Sequence, residues 1–309
     1  MDILRLKLRR SIGLILEHGR LLPRGIEVFK AAITEFFLPQ FQSRLFPGIR
    51  PISVMEHRED ASLPFLPGCV RSYLGYIAIW LKTLQYLYGA FGRQALRDIE
   101  QMIRDVCLIY YAAGRVYKRC QSTTTSRRTP PLNPYFILIR LFDPHLHCIP
   151  SLHVMTMCFN YHRTRQIVMK LSSRQAGKEL NSEATAQTYT LALQITEVML
   201  LVKQHSLVDI GPSLFLLSSL FPDYDQREAN RFISELFENR RVIGPQSMAR
   251  VRNGILQTYE EMLSRKRSYP HKEATDIIVE FLEGHKKKQA GRAVEARKPS
   301  RLLRKRDES

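Results

Sequence analysis

Residues 149–171 read IPSLHVMTMCFNYHRTRQIVMKL, and the period of this stretch decides the fold class. Behind the Pro150-Ser151 pair, apolar residues recur at three- and four-residue steps, which is the period of an α-helix and not of a strand. Ser151 is a helix-capping residue type, placed directly before the first apolar position. The same period holds in 4–17, 25–45, 71–91 and 94–117, and again in 183–208, 226–239, 247–264 and 273–283. Pro and Gly punctuate the gaps, as at Pro47-Gly48, Pro67-Gly68, Pro130-Pro131, Pro222, Gly244-Pro245 and Pro270. No strand-like alternation runs long enough to build a sheet. The expectation is an all-α helical bundle. Its parts are a helical N-terminal region (1–117), a core (118–222), C-terminal helices (223–284) and a disordered basic tail (285–309).

A chain that is 44% apolar and 25% charged has the composition of a folded protein, which excludes wholesale disorder. The net charge of +18 is unusual and uneven: residues 286–306 hold ten Lys/Arg against one acid. A segment like that is drawn to anionic surfaces, whether lipid headgroups or nucleic acid. The five cysteines form no short-spaced pair and read as reduced thiols. The first twenty residues, MDILRLKLRRSIGLILEHGR, are basic and then apolar. Their apolar run is short, broken by Glu17 and His18, and lacks a small-residue cleavage site, so an amphipathic helix is expected and not a secretion signal.

A membrane span needs about 20 mostly apolar residues. The nearest stretches are 70–92, which contains Arg71 and Lys82, and 189–221, which contains Glu197, Lys203, His205 and Asp209. With a mean hydropathy of −0.22, the chain is expected to be soluble or membrane-associated at the surface, cytoplasmic or peripheral.

Two stretches carry candidate chemistry: DPHLHCIPSLHV at 143–154 and KQHSLVD at 203–209. His145, His147, Cys148, His153, Cys158 and His162 are potential metal ligands, but no pair has the spacing of a zinc site on one helix, so no metal and no cofactor are expected. Phosphoryl transfer fits better. Four residues apart on a helix, His205 and Asp209 would share a face, and the carboxylate would accept the imidazole Nδ1–H, leaving Nε2 as an activated nucleophile. His153, at a helix start after Pro-Ser, would donate a proton to the departing oxygen, beside first-turn amides that favour anions. Alone, each motif is more often structural: a single His in an apolar helix is usually a hydrogen-bonded core residue. The polar loop 118–134 just upstream carries four cations within reach of such a site.

Pro150-Ser151-Leu152-His153, followed about fifty residues later by Lys203-Gln204-His205-Ser206 and Asp209, resembles the type 2 phosphatidic acid phosphatases, relatives in fold of the vanadium haloperoxidases. The likeness covers residues 118–221, about a third of the chain. It implies that His205 attacks phosphorus, Asp209 orients it, His153 protonates the leaving oxygen and Ser151 binds a phosphate oxygen. Where the family carries Ser-Arg, with Arg six residues before the nucleophile, this chain has Val198 and Met199. Its Lys-to-Arg-Pro motif is represented only by Lys118, Arg127 and Arg128. The function expected is metal-independent hydrolysis of a lipid phosphate or another phosphomonoester, with the basic tail holding the protein at an anionic membrane. Two alternatives are a lipid phosphotransferase using the same intermediate, and a non-catalytic basic protein that binds nucleic acid or a partner. Against nucleic acid, there is no helix-turn-helix or zinc-finger pattern and no basic stretch interleaved with aromatics.

Overall fold

Two helices buried over most of their circumference form the centre of the molecule. These are α8 (Leu152–Ser172) and α9 (Asn181–Leu201), and they make the most extensive helix pair. The computed structural model describes residues 2–130, 132–173, 181–240 and 242–297. Around the central pair, in chain order, lie α1 (Leu8–Glu17), α2 (Leu21–Ala31), α3 (Leu38–Leu45), α4 (Val70–Leu74), α5 (Tyr76–Phe91), α6 (Leu96–Tyr117) and α7 (Pro134–Phe142). After the pair come α10 (Ile210–Leu220), α11 (Gln226–Glu235), α12 (Pro245–Ser268) and α13 (Ala274–Arg297). The fold is all-α, and buried apolar residues from Ile3 to Leu282 make one core. N-terminal, middle and C-terminal regions all contribute to it. Among the described residues, no helix is long and apolar enough to cross a membrane.

Several elements depart from the expected helices for reasons visible in the chain. Helix α9 stops at Leu201, where the period had suggested continuation to 208. Lys203 has φ 55°, its amide donates to the Leu200 carbonyl (3.0 Å) and the Gln204 amide to the Met199 carbonyl (3.1 Å), the paired bonds of a Schellman C-cap. Lysine is an unusual occupant of that left-handed position; its Nζ reaches away to donate to the Asp60 carbonyl (2.5 Å). Between α2 and α3, residues Ala32–Phe37 form a π-helical turn. Pro39 follows it and has no N–H to give to the carbonyl four residues back; widening the register by one residue relieves the clash its ring would cause there.

The expectation of no sheet needs a small correction. Ile52–Val54 (β1) and Gln121–Thr123 (β2) pair in parallel, Ile52 opposite Gln121, and Ser122 also bridges to His147. Three-residue strands leave no alternation to detect. Their effect on the site is nonetheless direct. Ser122 accepts from the Cys148 amide through its carbonyl (3.3 Å) and from the Ile149 amide through its hydroxyl (2.7 Å), which pins the loop entering α8. The basic segment also begins differently from expectation: α13 runs to Arg297 and takes in its first part, while 298–309 lie outside the described residues.

Candidate active site

The loop from Asp143 to Ser151, the first turn of α8 and the turn after α9 meet at the core. His205 does not sit on a continuous helix with Asp209, as its spacing suggested. It lies in the turn after α9, and Asp209 ends the short 3-10 helix Leu207–Asp209. The pair forms all the same: His205 Nδ1–H donates to Asp209 Oδ2 at 2.8 Å. The same oxygen accepts from the Ser206 amide at 3.1 Å, and Asp209 Oδ1 has no hydrogen-bond partner. Asp60 clamps this turn from outside, accepting from the Ser206 hydroxyl (2.6 Å) and from the amides of Leu207 (2.9 Å) and His57 (2.8 Å). With Nδ1 committed as donor, Nε2 of His205 is the unprotonated nitrogen.

His153, in the first turn of α8, has its ring centroid 5.4 Å from that of His205, at 70°. Two tyrosines hold it: Tyr73 stacks at 4.3 Å and Tyr76 lies at 4.1 Å. His145, at φ 64°, brings a third imidazole to 6.4 Å from His205. Its amide donates to Asp143 Oδ1 (2.8 Å), its Nδ1 contacts the Thr123 hydroxyl (3.0 Å), and its Nε2 faces the Gln204 carbonyl. His153, His205, His145, Cys148, Tyr73 and Tyr76 line a cavity of about 20 Å³, and Phe36, Asp143, His147 and Leu152 also belong to its wall. That is room for one water.

Burial sets the protonation states. It pushes the Asp209 carboxyl up to about 6, against the opposing pull of the hydrogen bond and charge of His205. It pushes His145 down to about 4, with Asp143 working the other way, and holds His153 well below the usual imidazole range. The Cys148 thiol is held well above its ordinary range by burial and then by Asp209 and Asp143. At neutral pH the site therefore contains neutral His145 and His153, a protonated thiol and an ionised Asp209 on His205.

The expected phosphate ligands fare unevenly. Ser151 is the N-cap residue of α8, but its side chain makes no capping bond. The hydroxyl points at Met199 Sδ (3.6 Å) and the amide donates to Ser213 Oγ (2.6 Å). Met199 occupies the place where the resemblance expects a guanidinium, so on this side apolar sulfur replaces a cation. Arg127 bonds to residues next to the site but is not part of the cavity wall. Its Nε donates to Gln204 Oε1 (3.1 Å) and its Nη2 to the Asp143 carbonyl (3.0 Å), and its charge helps depress His145. Arg128 lies over the Phe65 ring (5.4 Å). Lys118 is paired with Glu35 at 2.6 Å and is not part of the cavity wall. None of Ser151, Lys118, Arg127 and Arg128 is part of the cavity wall.

Asp60, Tyr73 and Tyr76 escaped sequence reasoning, since nothing in their neighbourhoods marks them. His145 and Cys148 were visible only as members of a histidine-dense stretch. Ligand atoms of Cys148, His205 and Asp209 lie within 4.8 Å of one another, a grouping that can hold a cation, and the one such His/Cys/acid group among the described residues. A metal there would have to displace the proton that burial keeps on the thiol. No family model matches the chain, and neither the curated proteins nor the solved structures contain a match.

Proposed function

We propose that this protein is a histidine-based phosphoryl-transfer enzyme, a phosphomonoesterase acting on a lipid phosphate through a phosphohistidine. The observation that carries the reading is the convergence of His153 and His205, distant in the chain, at 5.4 Å, with His205 held by Asp209 at 2.8 Å. In the reaction, Nε2 of His205 forms a bond to phosphorus as the ester P–O bond breaks. Asp209 keeps the Nδ1 proton and stabilises the positive ring that results. His153 passes a proton to the leaving oxygen and then takes one from the water that hydrolyses the N–P bond. Because burial lowers the basicity of His153, that first proton comes from the phosphate itself, bound as its monoanion. Arg127, bound to Gln204 and the Asp143 carbonyl, reaches the developing charge only when it leaves those partners.

The cavity of about 20 Å³ admits a phosphoryl group only when wall side chains move; Phe36, Tyr76, Asp143 and His153 are its half-buried members. Turnover of a chromogenic phosphomonoester in the presence of a chelator tests the reading. His205→Ala should abolish it, His153→Ala should lower kcat by about a hundredfold or more, and acid-labile phosphate should be trapped on wild type but not on His205→Ala. Activity that vanishes with the chelator and returns with zinc would instead assign Cys148, His205 and Asp209 to a metal. An added alcohol that captures the phosphoryl group would make the enzyme a transferase.

A further inference from the structure

The large apolar side chains exposed on this protein are not scattered. Among the described residues all of them lie between Leu4 and Phe142, apart from Met169 and Tyr269. On α1, Leu8, Ile12 and Leu16 form an outward stripe at four-residue steps. On the rod formed by α2, the π turn and α3, Phe29 is 68% exposed and Leu45 71%. Helix α7 buries Phe136 and Ile139 while Leu141 and Phe142 stand 59% and 57% exposed on its other side. Soluble monomers seldom expose apolar surface on this scale without a use for it.

Some of these side chains are chain neighbours of the cavity wall. Phe36 of the cavity wall lies between exposed Ile33 and Leu38, Tyr76 is followed by exposed Ile77, and Asp143 directly follows Leu141 and Phe142. Cross-links hold these parts together: the Arg71 guanidinium lies over the Tyr135 ring (5.6 Å), and the Leu146 amide donates to Gln40 Oε1 (3.0 Å). The charge of the region selects among occupants. Residues 1–50 carry nine Lys/Arg against four acids, and Lys7, Arg9, Arg10, Lys30 and Arg44 are exposed. A second copy of the chain would bring like charges together across a two-fold contact. An anionic lipid surface accepts apolar side chains and cations together, without any helix crossing it.

We infer that the exposed apolar side chains of α1, the α2–α3 rod and α7 form a docking face that seats the protein in the interfacial layer of an anionic bilayer, beside the His153–His205 cavity. Docking stands apart from the phosphoryl-transfer reading; only the delivery of the headgroup to His205 rests on it. The test is sedimentation of the full chain with phosphatidylcholine vesicles, with and without phosphatidylserine. Wild type and His205→Ala should partition equally, and better onto the anionic vesicles. The pairs Leu138→Glu with Phe142→Glu, and Phe29→Glu with Leu45→Glu, change exposed side chains and should leave the far-ultraviolet dichroism and the turnover of a soluble phosphomonoester unchanged. Each pair should weaken partitioning by about tenfold or more. Partitioning equal to wild type in both pairs, or wild type remaining in the supernatant, overturns the inference. So does a wild-type dimer that the same pairs dissociate, which would assign the face to self-association. Wild type that sediments with the anionic vesicles yet turns over no phosphomonoester would sink the catalytic reading and leave docking intact.

Discussion

Asp60 lies 146 residues before Ser206, yet it accepts that hydroxyl at 2.6 Å and the next amide at 2.9 Å. Without it, the Ser206 hydroxyl and the Leu207 amide would be buried donors without partners, and the half-buried His57 amide would lose its acceptor. Asp60→Ala should therefore lower unfolding free energy by about 2–4 kcal/mol in urea titration, and on the proposed function the phosphomonoesterase activity of the folded remainder should fall with the loosened His205. Asp209 makes a separate prediction about pH. Its carboxyl, raised to about 6, must be ionised to orient His205. A phosphate monoester, with a second pKa of about 6, must keep one proton to supply His153. Activity should pass through a maximum near pH 6, falling on the acid side as Asp209 protonates and on the basic side as the substrate loses its proton. In Asp209→Asn the acid limb should disappear along with most of the rate. Arg127→Gln should cost about a hundredfold in kcat/KM, whereas Lys118→Gln, remote from the cavity, should cost almost nothing.

Among the elements, the loop into α8 is the most pH-sensitive. His145 is held neutral by burial, with its pKa lowered to about 4, and His147 and His153 are shifted in the same direction. A lowered histidine contributes stability that is present above its unfolded value of about 6.5 and is lost as pH falls through the folded one. Asp209, raised to about 6, opposes this, because its burial costs least when it is protonated. Three imidazoles outweigh one carboxyl, so the urea midpoint should fall between pH 6.5 and 4. His145→Asn, which tolerates a positive φ and keeps an acceptor near Thr123, should reduce the fall. The crossing of α10 and α12 depends on a different residue. A Cβ on Gly211 would stand 2.6 Å from the Tyr259 amide nitrogen, so Gly211→Ala should destabilise by about 1–3 kcal/mol through forced separation of the two helices.

For the whole molecule, charge and apolar exposure work together. The +18 net charge comes from the C-terminal basic segment as well as from the N-terminal helices. Residues 298–309 hold five Lys/Arg against two acids. Near an anionic surface each cation contributes about 1 kcal/mol at modest salt. Truncation at 297 should therefore weaken binding to phosphatidylserine-containing vesicles at low salt and make no difference at high salt, where screening is complete within about 3 Å. The apolar contribution from Leu138 and Phe142 should persist at both.

The chain alone determined the helical class, because three- and four-residue apolar steps are a local property that each segment carries with it. It also singled out His153, His205 and Asp209, which the fold brings together. It misplaced the end of α9, since a lysine in a left-handed cap carries no signal that a glycine would have carried. It missed β1 and β2, three residues each, and it overlooked the role of Asp60 and of Tyr73 and Tyr76. Tertiary structure alone decided that Arg127 bonds to Gln204 and the Asp143 carbonyl while Lys118 goes to Glu35, and that Met199 sits against Ser151 where a cation was expected. The physical reason is separation along the chain. A side chain's partner in a folded core is chosen by packing between elements, and a residue's immediate neighbours in sequence hold no record of that choice.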